Sequence, residues 1–402
     1  HVLVQNLTFD GQGDLHGSLG TGTQAHILDL FNINRLWIQN CFFYNSAGDA
    51  INVSTTTGQG CKYVFITNNY IETVRRNGIS VTAGEHIVIS GNIINGFNTM
   101  GIAVEPDSGK TLRGMLIQGN TVIPNPTFLS TGSANSDRLY GIASKMNAGV
   151  SNLRSQVRVL GNYCFGVLDT SQFPTAGIWA ELTRSLIISG NEIFECRQGI
   201  ITSSEGQVDG STGQISGNHV RGCVGVTGGG IGVRGRVNVE NNHVEAGTGQ
   251  GIFLFRGPAI ISCNTVRNNA RGIQIDQADG NLLFNNHCYD DQSPKTQDYG
   301  VYLATGATNT RVIENDFFGN ATDSVFDNNS AGNHFRGNRG YVTENSGTGT
   351  VTDPATSSTV THGCARTPRA QDIRVNFTEN PTVSPLLCWI SGITSTQFTV
   401  NV

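Results

Sequence analysis

Ile89-Ser90-Gly91-Asn92-Ile93, Ile117-Gln118-Gly119-Asn120-Thr121, Ile188-Ser189-Gly190-Asn191-Glu192 and Ile215-Ser216-Gly217-Asn218-His219 are four copies of one phrase: alternating apolar residues, a Gly-Asn corner, then another strand start. Looser copies put Asn69, Asn162, Asn242, Asn264, Asn286 and Asn338 in the same slot, with Cys41 and Asp316 as variants. The intervals run from 22 to 30 residues, apart from one of 42 between Asn120 and Asn162. A period of that length built from short strands and turns marks a solenoid.

The pattern inside each period selects the kind of solenoid. Apolar residues alternate at Ile87 and Ile89 or Met115 and Ile117. A second alternating run returns at Ile79/Val81, Ile102/Val104, Ile178/Ala180, Ile231/Val233, Ile252/Leu254, Ile273/Ile275 and Val301/Leu303. Alternation is the strand period, and no window carries a sustained helical i, i+3, i+4, i+7 pattern. Three short strands per turn, each stacked on its counterparts above and below, give an all-β, right-handed parallel β-helix of about 12–13 rungs. The recurrent Asn can bond both its own turn and the equivalent Asn one rung away, roughly 4.8 Å off. The Gly before it accepts the positive φ of such a corner.

Composition agrees. The chain has 402 residues, 51 of them Gly, with only 14% charged residues and a net charge of −5. No basic stripe stands out, which argues against a nucleic-acid partner, and no apolar run is long enough to span a membrane. Residue His1 already adjoins a rung-like segment, Val4-Gln5-Asn6-Leu7, so the sequence reads as a fragment or a processed product. Cys41, Cys164, Cys196, Cys223, Cys263 and Cys288 read as free buried thiols inside or beside rung strands. Cys364 and Cys388 could meet across a sheet, and the absence of any CxxC pair argues against a zinc site; no metal or cofactor is expected.

The repeat stops near Gly340. Residues 1–342 are expected to form the β-helix, 343–358 a polar Gly/Ser/Thr linker, and 359–402 a small antiparallel β-sandwich with strands around Thr359–Gly363, Ile373–Phe377, Trp389–Ile390 and Thr396–Val402. So small a module makes a poor core alone, which suggests stabilisation by partner chains or by the solenoid.

Within that module Thr361-His362-Gly363, Thr367-Pro368, Asp372-Ile373-Arg374-Val375, Trp389-Ile390-Ser391 and Phe398 to Val402 resemble a β-sandwich found at the carboxyl ends of phage tail fibres and tail spikes. The repeat is similar to the pectin-lyase-like β-helix superfamily, which hosts pectinases, lyases, epimerases and tail-spike depolymerases. Together these resemblances imply a homotrimeric virion or otherwise extracellular protein that binds and cuts a bacterial surface polysaccharide.

The Gly-Ile-x-Val strand allows a site to be placed by register. If Ile and the residue two later point inward, two outward rows result. One is Asn52, Ser80, Ala103, Ala143, Trp179, Ile201, Gly232, Phe253, Gln274, Tyr302; the other is Ser54, Thr82, Glu105, Lys145, Glu181, Ser203, Arg234, Phe255, Asp276, Ala304. Exposed Trp179, Phe253, Phe255 and Tyr302 amid Lys145, Arg234 and Asp276 suit pyranose rings, which offer apolar faces and polar rims. Glu105 and Glu181, two rungs apart, would sit roughly 9–10 Å from each other, a separation that favours inverting glycoside hydrolysis. Asp107 is a third possible acid. The plainer reading of the same charges is a ladder of cross-strand ion pairs, and the aromatics could be covered by the long insertion or a neighbouring subunit. Asp49, at a corner before a strand, reads as a turn residue, and His86, His219, His243 and His287 as structural. Two alternatives stay open. One is a lyase using Lys145 with Tyr140, or Arg234, on a uronic-acid glycan; the other is a trimeric adhesin that holds the glycan without cutting it.

Overall fold

The computed structural model describes residues 1–12, 25–55, 60–106, 110, 112–125, 139–144, 154–166, 175–181, 183–202, 211–225, 229–328, 332–352, 355–365, 367–376 and 388–402. Three parallel sheets run the length of the repeat. The first has 14 strands, from Val2–Gln5 to His334–Arg336, with Thr183–Arg184 as a side pairing; the second and third have 12 each, from Thr8–Asp10 to Asp316–Phe318 and from Leu28–Phe31 to Asp323–Asp327. Successive strands of one sheet come from successive repeats, so every coil contributes one strand to each of three faces. This is a parallel β-helix. Among the described residues the only helical element is the short 3₁₀ turn Ala370–Asp372.

The Gly-Asn phrase has a direct structural cause. The residue before each ladder Asn takes the left-handed conformation: Gly91, Gly119, Gly161, Gly190 and Gly217 lie at φ 59° to 66°, and Asn68, Asn241 and Asn285 at 53° to 55°. That corner turns the chain from the first sheet to the second. The following Asn turns inward, donates from Nδ2 to Oδ1 of the Asn one rung on, and accepts from the backbone N–H and side chain of the Asn one rung back. The side-chain links from Asn69 through Asn92, Asn120, Asn162, Asn191, Asn218, Asn242, Asn264, Asn286 and Asn315 to Asn338 measure 2.8 to 3.0 Å. Asn120 and Asn162 bond directly at 2.9 Å, so the extra length between them leaves the phase of the stack unchanged.

Two expectations need correction at these corners. The ladder slot near residue 316 belongs to Asn315, not Asp316; Glu314 occupies the left-handed position at φ 53°, and Asp316 is the first residue of the next strand. Cys263 is exposed rather than buried, because it holds the outer corner position at φ 56° that Gly or Asn fills elsewhere. Cys41, Cys61, Cys164, Cys196, Cys223 and Cys288 are buried and form no disulfide among the described residues. Desolvation pushes the Cys164 and Cys223 thiols well above their ordinary pKa, which keeps them protonated.

The core is a column of Ile, Val, Leu and Phe from the inward rows of all three sheets, with Ile38, Ile66, Ile89, Ile117, Ile79, Ile102, Ile252 and Ile273 each fully buried. The Gly that opens most third-sheet strands is steric. A Cβ on Gly101 would stand 2.1 Å from Val122 Cγ1 and 2.7 Å from the Gly141 carbonyl oxygen, so the second and third sheets meet too closely there for any side chain. This explains why Gly precedes Ile in the Gly-Ile-x-Val phrase.

Beyond the last parallel strand, Ser357–Thr361, Gln397–Asn401 and Trp389–Ser391 form a three-stranded antiparallel sheet with Gln397–Asn401 in the centre. Residues 373–376 are coil rather than the expected strand, with Ile373 half-buried and the other three exposed, and Phe377 lies outside the described residues. His362 is 7% exposed; its Nδ1 accepts from Cys364 N–H and its Nε2 lies 3.2 Å from the Thr394 oxygen. Cys364 and Cys388 are both free. Among the described residues no helix is long and apolar enough to cross a membrane.

Candidate functional site

The third sheet carries the expected rows. Pairing runs Asn52↔Ser80, Ser80↔Ala103, Ala103↔Ala143, Ala143↔Trp179, Trp179↔Ile201, Ile201↔Gly232, Gly232↔Phe253, Phe253↔Gln274 and Gln274↔Tyr302, then on to Phe326. In the second row Phe255 pairs with Asp276. Arg234 N–H bonds to the Thr202 oxygen at 2.8 Å, which sets it on the preceding rung. Glu105 N–H bonds to the Val81 oxygen at 3.0 Å and Glu181 N–H to the Ser144 oxygen at 2.8 Å, so the two glutamates continue strands two rungs apart on one face. Lys145, Asp107 and Ser203 lie outside the described residues.

The face divides into two chemically different halves. In the first half the outward positions are not open. Met100, Ala103, Tyr140, Ala143, Ala176, Trp179 and Ile201 form a second apolar cluster outside the column, each 6% exposed or less. The expectation of an exposed Trp179 is thereby corrected: the indole packs edge-on against Tyr140 at 4.7 Å and 73° instead of standing free for a ligand. Tyr140 is fully buried. Glu105 is 9% exposed, whereas Glu181 is half-buried, so this face presents only one of the two candidate carboxylates to solvent.

The second half is open and aromatic. Phe253, Phe255, Tyr302 and Phe326 are half-buried. Tyr302 stacks on Phe326 at 4.6 Å and 10°, with Tyr299 tilted against both. Guanidinium groups lie over the rings: Arg234 at 4.6 Å and Arg256 at 5.0 Å from Phe255, Arg271 at 4.1 Å from Tyr302. Arg271 also donates to Gln274 Oε1 at 2.8 Å, as does Gln250 at 3.2 Å. Beside them Thr248, Gly249, Gln250, Ala270, Arg271 and Asp298 line a shallow pocket of about 260 Å³. The result is a platform of stacked rings edged by cations and amides, with Asp276 on its rim.

A different cluster, read from sequence as structural, stands on the second sheet. His219 pairs with His243, and Arg221, Glu245 and Arg267 follow one another in the adjacent row. The donor atoms of His219, His243 and Glu245 lie within 4.8 Å of one another. His219 Nε2 is 3.2 Å from Glu245 Oε1 and His243 Nε2 is 3.4 Å from Oε2, while Arg267 grips Oε2 at 2.6 Å. His243 Nε2 is buried without a hydrogen-bond partner among the described residues. Burial would raise the Glu245 pKa, but hydrogen bonds from Arg267 and His219 hold it below the usual range; burial keeps the His243 pKa low despite the facing carboxylate. These residues are strand residues immediately after ladder asparagines, in Asn218-His219 and Asn242-His243. That repeated Asn-His pair was the signal in the sequence that could have found them.

Asp49 is also more than a turn residue. It is 1% exposed; Oδ1 accepts from Asn77 N–H at 3.0 Å, and Oδ2 faces His26 at 3.5 Å and Arg76 at 3.7 Å. Desolvation raises its pKa against the pull of both cationic groups.

Residues 142–356 match the protein family described as periplasmic copper-binding protein (NosD), more than half of the chain. The chain belongs to the NosD family. The matched span contains the open aromatic platform and the His219/His243/Glu245 cluster. Among solved structures, PfbA, a surface adhesin of Streptococcus pneumoniae, is similar at 12% identity over 77% of this chain and 79% of that chain, with a TM-score of 0.49. The periplasmic alginate epimerase AlgG is similar at 14% identity over 84% and 68%, TM-score 0.43. The enzymatically active domain of bacteriophage CBA120 tailspike protein 2 is similar at 11% identity over 89% and 54%, TM-score 0.49. No curated protein sequence matches. Copper enters only as the description of the NosD family. Its usual partners are imidazole nitrogens and, less strongly, carboxylate oxygens, and the second-sheet cluster of two imidazoles and a carboxylate fits that donor set.

Proposed function

We propose that the third sheet binds an extended polysaccharide along the stacking axis. The observation that carries this is the platform of Phe253 and Phe255 on one rung and Tyr302 and Phe326 two and three rungs further on, with Gln274 between them and Arg234, Arg256 and Arg271 seated over the Phe255 and Tyr302 rings. Flat rings on a rigid sheet supply apolar area with little conformational entropy to lose, and the flanking guanidiniums favour a glycan with acidic groups. The substrate class is a bacterial surface polysaccharide, and the carboxyl-terminal motifs support a trimeric, virion-borne or otherwise extracellular setting.

The finer reading is hydrolysis with inversion. Glu105 and Glu181 are two rungs apart, roughly 9–10 Å by strand spacing, at the upper edge of the inverting range. One would protonate the leaving glycosidic oxygen while the other takes a proton from the water that attacks the anomeric carbon. The near-burial of Glu105 favours the second reading, a glycan-binding adhesin. One experiment separates them: E105Q/E181Q protein against wild type on a panel of capsule, O-antigen and exopolysaccharides. Release of reducing ends by wild type alone, with binding kept by the variant, supports hydrolysis. Binding by both without product supports the adhesin, and failure of both proteins to bind any acidic glycan overturns the proposal.

Copper, which the family description names, would find its donors on the other side of the column at His219, His243 and Glu245. It would supply a cross-link between two adjacent rungs.

A further inference from the structure

We propose that His219, His243 and Glu245 form a first-row transition-metal site, filled by Cu(II) or Zn(II), that clamps two consecutive rungs of the second sheet. The site rests on its own donor geometry and stands or falls independently of the glycan reading.

Metal–nitrogen and metal–oxygen bonds of about 2.0–2.2 Å in a tetrahedron put neighbouring donors roughly 3.3–3.6 Å apart. The two nitrogen–oxygen separations here, 3.2 and 3.4 Å, already fall close to that spacing. The imidazoles face each other across one rung, with centroids 4.9 Å apart and tilted by 36°. His243 Nε2 faces Glu245 Oε2 at 3.4 Å without the alignment of a hydrogen bond, and a metal between the two would satisfy both. The backbone is fixed on both rungs: His219 N–H bonds to the Asn191 oxygen at 2.9 Å and His243 N–H to the Asn218 oxygen at 2.8 Å. Arg267 holds the carboxylate from one side, Nε and Nη2 both reaching Oε2, and so acts as the orienting partner that ligating carboxylates usually have.

The opposing term is charge. Arg267 and Arg221, the latter with Nε 3.8 Å from Oε1, already surround the carboxylate with positive charge, balanced in part by Asp291, 3.2 Å from Arg267. An ion-pair network alone would need no metal, so Arg221 separates the two readings. Its side chain is 62% exposed and holds no other ion pair among the described residues. Removing it takes away a like charge from an incoming cation.

The test is titration of the full chain with CuCl₂ or ZnCl₂ by calorimetry, with electron paramagnetic resonance of the copper form. The expected result is one equivalent beyond that taken up by H219A/H243A, a copper spectrum split by two imidazole nitrogens, release of bound zinc by copper, at least tenfold weaker binding in H243A, and severalfold tighter binding in R221A. The histidine side chains are 36% and 41% exposed, so the variants should fold as wild type; far-ultraviolet circular dichroism checks this, and H219A alone replaces the double variant if it does not. Equal uptake by wild type and H243A, or a copper spectrum without imidazole nitrogen, overturns the site. Glycan binding is measured on the same samples, so loss of one property is not mistaken for loss of the other.

Discussion

Replacing Asn191 by Ala tests whether the asparagine ladder holds the column together. The side chain is fully buried. Its Nδ2 donates to the Val159 oxygen at 2.9 Å, to the Ser189 oxygen at 3.2 Å and to Asn218 Oδ1 at 2.8 Å. Its Oδ1 accepts from Asn162 N–H at 2.9 Å and Asn162 Nδ2 at 3.0 Å. Asn162 Nδ2 keeps the Ile117 oxygen, and Asn218 Oδ1 keeps the Asn191 backbone N–H, so those two groups stay satisfied. The Asn162 N–H loses its partner inside the column, while the Val159 carbonyl loses a side-chain donor but stays within the parallel pairing with Leu186–Ser189. At about 1–3 kcal/mol for the N–H left unpaired and about 0.5–1.5 kcal/mol for the other lost bond, the cost is about 1.5–4.5 kcal/mol. Asn338 closes the ladder beside the last strand of the first sheet and is 7% exposed, so although N338A also strips the Asn315 N–H and the Val312 carbonyl of side-chain partners, water can replace them there and the cost should be smaller. N191D should cost more than N191A, because a carboxylate would point at the Val159 oxygen and Asn218 Oδ1 where an amide donated. Urea unfolding followed by circular dichroism should show N191A unfolding about 1 M earlier, for a slope of roughly 3 kcal/mol/M. The transition should also broaden as a stack interrupted mid-length loses cooperativity. A shift no larger than that of N338A, or an N191D protein as stable as wild type, would refute the ladder as a source of stability.

Four further outcomes follow from individual sites. F255A should weaken glycan binding roughly 2- to 30-fold, the loss of about 0.5–2 kcal/mol of ring and guanidinium contact, with the melting temperature unchanged; a shifted melting temperature would mark Phe255 as structural. W179A should destabilise the fold by about 3–5 kcal/mol, since the indole is 6% exposed in a packed cluster, and should leave affinity per folded molecule intact in a glycan titration. G251A should cost about 1–3 kcal/mol, because its Cβ would stand 2.3 Å from Val266 Cγ1, and thermal unfolding measures this directly. Asp49 has a folded pKa raised above its ordinary 3.8, so its contribution to stability is complete at low pH and is lost as pH rises through the raised value. The pH profile of unfolding should therefore flatten on the alkaline side of 3.8 in D49N; an unchanged profile would show that Arg76 and His26 fully offset the burial.

What the sequence disclosed follows from how a stack repeats. The corner phrase names both the left-handed residue and the ladder Asn, and one correct phase carries through all coils because each rung copies the register of the last. The outward row from Asn52 to Tyr302 was therefore legible position by position, including across the 42-residue interval. Phase was lost only where the corner residue was atypical: Glu314 in place of Gly or Asn disguised Asn315, and the slot was assigned one residue late. Burial of outward positions was not legible. Register says which way Trp179 points, but what packs over it depends on residues far along the chain, and nothing in the alternation of Gly177-Ile178-Trp179-Ala180 encodes a Tyr140 ring 4.7 Å away. The histidines were passed over because single residues were weighed against single roles, whereas their chemistry exists only as a pair on neighbouring rungs.

The same stacking limits how catalysis can be built here. A parallel β-helix sets neighbouring side chains of one row at the rung spacing, roughly 4.8 Å, so two carboxylates in one row stand about 5 or about 10 Å apart and nothing between. Binding platforms tolerate this quantisation, because ring after ring at constant pitch is what a long repetitive ligand requires. Paired carboxylates can use one rung, close to the roughly 5–5.5 Å of retaining glycosidases, or two, the Glu105–Glu181 arrangement near the upper end of the inverting range, and then only if both groups reach the ligand. The cover over the first half of the face, built from Tyr140, Trp179 and Ile201 beside a 9% exposed Glu105, works against cleavage there, while the open half from Arg234 to Phe326 places Asp276 as its acid in the outward rows, with its counterparts two rungs away not carboxylates. An uncovered first half in the presence of glycan, detected as loss of protection of the Trp179 indole from solvent quenching, is thus the condition on which hydrolysis by this pair depends. Quenching that stays blocked at saturating glycan would leave the aromatic platform as a binder alone.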